Sequence, residues 1–266
     1  MIGEDNIMKV NGIKHRYQTN SPVDMNIIIE NLDTISSARM VLTHDVLSND
    51  EVKNYRLDNP NEKWRLNKYG VPAIFPKKHH NYPNVTLDNF NISSDIINLD
   101  DEDSVEWVGI QLAELENVYF SKLLCYATKT MGIFSQSKFD QIIPTVEKSI
   151  DTMVQKGFHP QYIVCDNYSL VKVFSKHPSF RAVSHDLMPY VADLALNDQI
   201  YKLITNNQLG NDVISNFCLC TDMIGPLQLR DGIKCWRVDN QAIFTETIGM
   251  GIFNEHGIKR CVINKG

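Results

Sequence analysis

No run of apolar residues in this sequence reaches the roughly 20 needed to cross a bilayer as a helix. The opening stretch, "MIGEDNIMKVNGIKHRYQTN", is polar and mixed in charge. It lacks the apolar centre of a secretory leader, and the expectation is a chain made and kept in cytoplasm. Neither the phosphate-loop spacing GxxxxGKS/T nor the dinucleotide spacing GxGxxG occurs, and Gly249 and Gly251 in "IGMGIF" suit a turn or bulge. Basic residues are not in excess: the formal net charge is −6. That excludes the broad basic stripe of a nucleic-acid reader, though not a local patch against a bulky polyanion. Cysteine is sparse, with six in all: Cys125, Cys165, Cys218, Cys220, Cys235 and Cys261. Reduced thiols are expected, several in apolar runs where a thiol acts as a small hydrophobe. Internal repeats and low-complexity tracts are absent as well.

What is present is ordinary globular material. Of 266 residues, 43% are hydrophobic and 22% charged, enough to build a packed core and arguing against disorder. "NSPVDMNIIIENLDTISSARMVL" predicts a helix, with Ser21 as cap, Pro22 in the first turn, and Ile28, Leu32 and Ile35 on one face. From about Asn49 the character changes. Pro60, Pro72, Pro76 and Pro83 recur among Asn and Lys, which opposes regular helix. Val71, Ile74, Phe75, Val85, Leu87 and Phe90 are nevertheless too apolar for a linker. The expectation is a long two-stranded excursion returning through "NVTLDNFNIS". Such a ribbon is marginal alone in water, so its apolar side needs a neighbour.

Two strong helical patterns follow. In "SVEWVGIQLAELENVYFSKLLCYATK" the residues Val108, Leu112, Leu115, Tyr119, Leu123 and Tyr126 predict the buried stripe, and the acidic "DDED" with Ser104 favours the helix start. In "SKFDQIIPTVEKSIDTMVQKG" the stripe is Phe139, Ile142, Ile143, Val146, Ile150, Met153 and Val154. Pro144 should kink this helix or split off its first turn, and Gly157 suits its C-cap. "QYIVCD" then reads as a buried strand and "NYSLVKVFSK" as a helix from about Asn167. "DQIYKLITNNQLG", "NDVISNFCLCT" and "GIKCWRVDNQ" read as further strands between Asn, Gly and Asp turns. Helices and strands do not alternate regularly, so the fold class is α+β.

No catalytic constellation emerges, and the chain is not expected to be an enzyme. No catalytic, cofactor-binding or metal-binding residue is assigned, and no cofactor is expected. "CLC" sets Cys218 and Cys220 on one strand face, but zinc sites usually show two spaced pairs of ligands and no second close pair exists. Ser184, His185 and Asp186 are sequence neighbours, and neighbours point in different directions, so they suit a solvated turn rather than a triad. Lys77 to His80 form a small basic patch, read as a loop tip ahead of an intersubunit or polyanion contact. Asp100 to Asp103 are read as helix N-terminal charge rather than a cation site.

The last stretch, "AIFTETIGMGIFNEHGIKRCVI", resembles the C-terminal end of tailed-phage major capsid proteins and encapsulins, which share the Hong Kong ninety-seven capsid fold. In that family a strand with a polar step, here Glu246 and Thr247, leads through a turn to a last strand. "GFHPQYIVCDNYSLVKVF" resembles the family's entry into the axial domain, and "DMIGPLQLRDGIKCWRV" its return. The resemblance is one of layout and covers most of the chain after residue 49. It implies an N-terminal arm or helix at 1–48, an extended loop at 49–91, and a first part of the peripheral domain at 92–158, with the long spine helix near 137–156. An axial domain at 159–235 and closing strands of the peripheral domain at 236–266 complete it. The final two strands are expected to pair with each other.

The resemblance further implies a viral structural protein: a major capsid protein assembling as pentamers and hexamers into the icosahedral head of a tailed phage, located in the virion and assembled in host cytoplasm. Its partners would be other copies of itself, capsid-decorating, portal or scaffolding proteins, and packaged double-stranded DNA held without sequence specificity, with no membrane. Lys68, Lys77 and Lys78 lie in the excursion, but nothing selects one for the lysine–asparagine crosslink some relatives form, and none is expected. The alternative is an encapsulin-type shell around a cargo enzyme, with Ile28, Leu32 and Ile35 as a cargo-docking face. A cytoplasmic enzyme on another α+β fold is the third reading, and no site supports it.

Overall fold

The computed structural model describes residues 6–10, 13–17, 25–42, 44–47, 64–66, 72–74, 88–130, 134–137, 141–183, 190–209, 214–219, 227–238, 240–250 and 257–263. They fall into two compact units. The first draws on residues 1–72, 79–116 and 226–251, and the second on 73–78, 117–225 and 252–266. Among the described residues no helix is long and apolar enough to cross a membrane.

The first unit begins with an antiparallel pair, β1 (Asn6–Val10) and β2 (Ile13–Tyr17). Two helices follow, α1 (Met25–Ile35) and α2 (Ser37–Val41). Ser36 separates them and caps α2, its hydroxyl accepting from the Arg39 N–H at 3.2 Å. The predicted Ser21 cap and Pro22 lie outside the described residues. A five-stranded sheet carries the rest: β3 (His44–Leu47), β14 (Leu227–Val238), β15 (Gln241–Met250) and β6 (Asp88–Ser93) in that order, with the short β7 (Ile97–Asn98) also on β15. β15 alternates cleanly. Ala242, Phe244, Glu246 and Ile248 are buried, while Ile243, Thr245 and Thr247 are half-exposed, as a sheet covered on one face requires. Opposite Glu246 the β14 register slips between Arg230 and Lys234, and Gly232 takes the positive φ of 68° in that bulge.

Little of the predicted excursion is described. β4 (Trp64–Leu66) and β5 (Pro72–Ile74) form a two-stranded sheet of their own. Of the expected return strand, Asp88–Ser93 is described, and it pairs with β15.

The longest described helix is α3 (Glu102–Thr130), whose residues 102–116 belong to the first unit and 117–130 to the second. Its buried row is Val108, Leu112, Glu116, Phe120 and Leu124. The predicted row is thereby corrected: Leu115, Tyr119 and Leu123 are half-buried, and Tyr126 is 72% exposed. Steps of four hold one face here, and that face contains a glutamate that an apolar count skips.

The second unit is built on a seven-stranded sheet. Its order is β10 (Arg181–Ala182), β11 (Val191–Leu196), β12 (Gln199–Thr205), β9 (Tyr162–Cys165), β13 (Ile214–Leu219), β16 (Ile258–Ile263) and β8 (Phe134–Ser137). Helix α4 (Ile142–Gln155) lays Ile142, Val146, Ile150 and Met153 on a core with Ile163, Cys165, Leu194, Leu203 and Cys261. The long helix expected near 137–156 is therefore a fourteen-residue one. Pro144 does not split it. It sits in the first turn, where the backbone N–H it lacks has no intrahelical partner. At the other end Gly157 has φ +84°; its N–H donates to Val154 O and the Phe158 N–H to Met153 O, closing the helix as the glycine predicts. Asp166 caps α5 (Asn167–Lys172), accepting from the Ser169 N–H at 2.8 Å and the Ser169 hydroxyl at 2.6 Å. A turn of 3-10 helix, Phe174–Lys176, follows. Asn197 and Asp198, both at positive φ, make the tight turn between β11 and β12.

One correction matters most. The final two strands do not pair with each other. β15 pairs with β14, β6 and β7 in the first unit, whereas β16 lies between β13 and β8 in the second. Ile258 and Cys261, three apart and so on opposite faces, are both fully buried. A strand covered on both faces belongs inside a sheet, and the sheet interior is where β16 sits. Residues 236–266 thus divide between the two units.

Candidate functional site

In the first unit four charged side chains from four segments meet out of solvent. Arg39 is the first, on α2. Its Nε reaches both Glu116 carboxylate oxygens at 3.1 Å, and Nη2 reaches Glu116 Oε1 at 2.8 Å. Nη2 also donates to Glu246 Oε1 at 3.0 Å and Oε2 at 3.1 Å, and Nη1 donates to Asp33 Oδ1 at 3.0 Å. Asp33 comes from α1, Glu116 from α3 and Glu246 from β15. The side chains of Arg39, Glu116 and Glu246 are each at most 1% exposed. Arginine's planar fork suits this work, because it presents several donors in fixed directions to carboxylates on different elements.

The electrostatics are unbalanced: one guanidinium faces three carboxyl groups. Burial alone would favour neutral arginine, but Glu116, Glu246 and Asp33 together hold its guanidinium charged, above its ordinary range. Glu246 moves the other way. Burial pushes its carboxyl up to about 8, against the pull of Arg39, and the neighbouring Glu116 carboxyl adds to the rise. The arrangement can tie α1, α2, α3 and β15 together. It offers no face to a substrate, since each of the three guanidinium nitrogens already donates to a carboxylate and the group is enclosed.

These residues escaped the sequence search for chemistry, yet each left a trace. Glu246 occupies the apolar phase of its strand, between Phe244 and Ile248. Glu116 stands on the apolar row of α3, one turn past Leu112. A charge in an apolar phase is the signal of a buried pair, and buried charges are almost never left unpaired.

Other singled-out residues disperse. Ser184, His185 and Asp186, the patch from Lys77 to His80, and Lys68 and Cys220 lie outside the described residues. Cys218 falls on β13. Asp100 accepts from Asn240 Nδ2 at 2.6 Å, and Asp101 accepts from the Ser104 hydroxyl at the start of α3. Cys165 and Cys261 are buried thiols, and burial pushes the Cys165 thiol up. In the second unit an open groove of about 570 Å³ runs along α4 beside β16, lined by Gln141, Pro144, Thr145, Lys148, Thr152 and Lys259 among others.

No family model and no curated protein matches the chain. Solved structures do. A chain of Mycobacterium phage Cain matches with a TM-score of 0.50 at 8% identity, over 86% of this chain and 90% of that one. A virus-like particle from Pyrococcus furiosus matches with a TM-score of 0.49 at 8% identity, over 90% and 97%. An encapsulin complex from Synechococcus elongatus matches with a TM-score of 0.49 at 9% identity, over 92% and 91%. The fold of this chain is α+β, of the Hong Kong ninety-seven type shared by phage capsid proteins and encapsulins.

Proposed function

We propose that the chain is the subunit of a closed protein shell, and specifically a major capsid protein of a tailed phage. The observation that carries this reading is the likeness of fold to a phage chain over nearly the whole length of both. The subunits assemble as pentamers and hexamers into an icosahedral head around double-stranded DNA. Residues 49–91, whose apolar content needs cover in the sequence, are the extended loop that lies over a neighbouring subunit. Large apolar side chains left in solvent by the single chain, Ile96 and Trp107 in the first unit and Tyr168 and Val171 in the second, are consistent with surfaces a neighbour covers.

The packing of α1 favours a capsid over a cargo-loaded compartment. Ile28 and Leu32, the face that could have docked cargo, are fully buried, and α1 packs against Gly109 of α3. Particles purified from the cells that make the chain test the reading. Nuclease-protected double-stranded DNA inside is expected. A co-purifying enzyme without DNA would overturn the capsid reading in favour of a nanocompartment.

A further inference from the structure

The open groove of the second unit carries the opposite sign of charge to the chain as a whole. Its described lining holds two cations, Lys148 and Lys259, and no carboxylate, whereas the formal net charge of the sequence is −6. Lys259 and Cys261 are two apart on β16 and share a face, and Cys261 Sγ lies 3.3 Å from Ser149 Oγ, which fixes that face as the one toward α4. On α4, Gln141, Thr145, Lys148 and Thr152 recur at steps of three and four and so form one side of the helix. The acidic residues of that helix lie elsewhere. Neither Glu147 nor Asp151 lines the groove, and Asp151 accepts from Asn197 Nδ2 at 2.8 Å. Lys148 is exposed and Lys259 half-buried, and neither ammonium has an ion pair among the described residues. Two such charges repel each other, and an anion between them turns that repulsion into attraction.

We propose that this groove binds phosphate groups, and that its ligand is the sugar–phosphate backbone of a DNA duplex, held without reading sequence. Lysine binds phosphate as a compact point charge with rotatable donors. Thr145 adds a hydroxyl, a group that commonly contacts backbone phosphates. The described lining has no aromatic ring on which an unpaired base could stack, which disfavours a single strand. It has no arginine fork for a base edge, which disfavours sequence readout. A protein partner is disfavoured as well, because the strong anchors of protein interfaces are Trp, Tyr and Arg, and none is in that lining.

The dimensions agree with this ligand. From Gln141 to Thr152 the helix rises about 16 Å, room for several successive phosphates of one strand. Two lysines neutralise two of them, so one chain alone binds weakly and with a shallow dependence on salt. The choice of a duplex rests on the function proposed above, which supplies the DNA; the affinity of the groove for phosphates does not.

A labelled duplex of random sequence, titrated into the intact chain at several salt concentrations, tests the groove without requiring assembly. Each neutralised phosphate contributes about 0.9 to the slope of log affinity against log salt. Lys148→Gln combined with Lys259→Gln should therefore weaken binding and flatten that slope by about 1.8. Between about 50 and 200 mM salt the variant should lose about tenfold less affinity than the wild type loses. Lys172→Gln combined with Lys176→Gln, two exposed lysines outside the groove, should leave the slope as in the wild type. Lysine acetylation of the wild-type chain, read by mass spectrometry, needs no variant. The duplex should protect Lys148 and Lys259 several-fold and leave Lys172 and Lys176 reactive. Equal slopes for the two variants, or groove lysines that the duplex leaves unprotected, would overturn the proposal. Protection by inorganic phosphate but not by the duplex would overturn the duplex in favour of a free-phosphate site. DNA-filled particles whose Lys148 and Lys259 acetylate freely would sink the groove and leave the capsid reading standing.

Discussion

Gly109 gives the sharpest test of how the first unit is packed. A methyl group placed there would stand 2.6 Å from the Ile28 carbonyl oxygen and 2.7 Å from Asn31 Cβ. Ordinary contact begins at 3.4 Å, so α1 must retreat by about 0.8 Å. It is not free to do so. Ile28, Ile29 and Leu32 are buried on its inner side, and Asn31 Nδ2 donates to Glu106 O at 3.1 Å. Two effects therefore oppose each other in Gly109→Ala. Alanine gains roughly 1 kcal/mol in a helix interior. Overfilling a packed contact loses roughly 1–3 kcal/mol, and the obstacle here is backbone, which puts the loss at the upper end. The expected net loss is about 2 kcal/mol. Urea unfolding followed by tryptophan emission reads it directly, because all three tryptophans, Trp64, Trp107 and Trp236, belong to the first unit. A lower midpoint is predicted. An unchanged or raised midpoint would show that α1 is not seated on α3 and would refute the packing argument.

Further substitutions bear on other contacts. Arg39→Met leaves three carboxyl groups without their cation and should lower stability by about 3–5 kcal/mol in the same urea experiment. Gly157→Ala puts a side chain at φ +84° where nothing lies within 4 Å, so its cost is purely conformational, about 1–2 kcal/mol, and shows as a lower melting temperature for the second unit. Asp166→Ala removes the N-cap of α5 and the partner of the Ser169 hydroxyl, which should cost about 1–2 kcal/mol and raise hydrogen exchange at Ser169.

Local structure was legible where local chemistry decides it. The asparagine start of α5, the glycine end of α4 and the strands at 162–165 and 199–205 follow from caps, turns and apolar runs within a few residues. Sequence patterning failed where partners are distant. The apolar run in 258–263 marks a strand but carries no information on which strand lies beside it, so β16 looked like the partner of β15. Apolar counting also hid the buried cluster. Its members are charged, and they come from α1, α2, α3 and β15, segments that only the tertiary fold brings together. The overall resemblance was legible as an order of elements, because layout rather than any reactive residue carried it.

Assembly of the purified chain, followed by size-exclusion chromatography and negative-stain microscopy, tests the central claim most directly. Closed shells, or rings of five or six subunits, are predicted. A compact monomer that stays monomeric when concentrated would contradict the account.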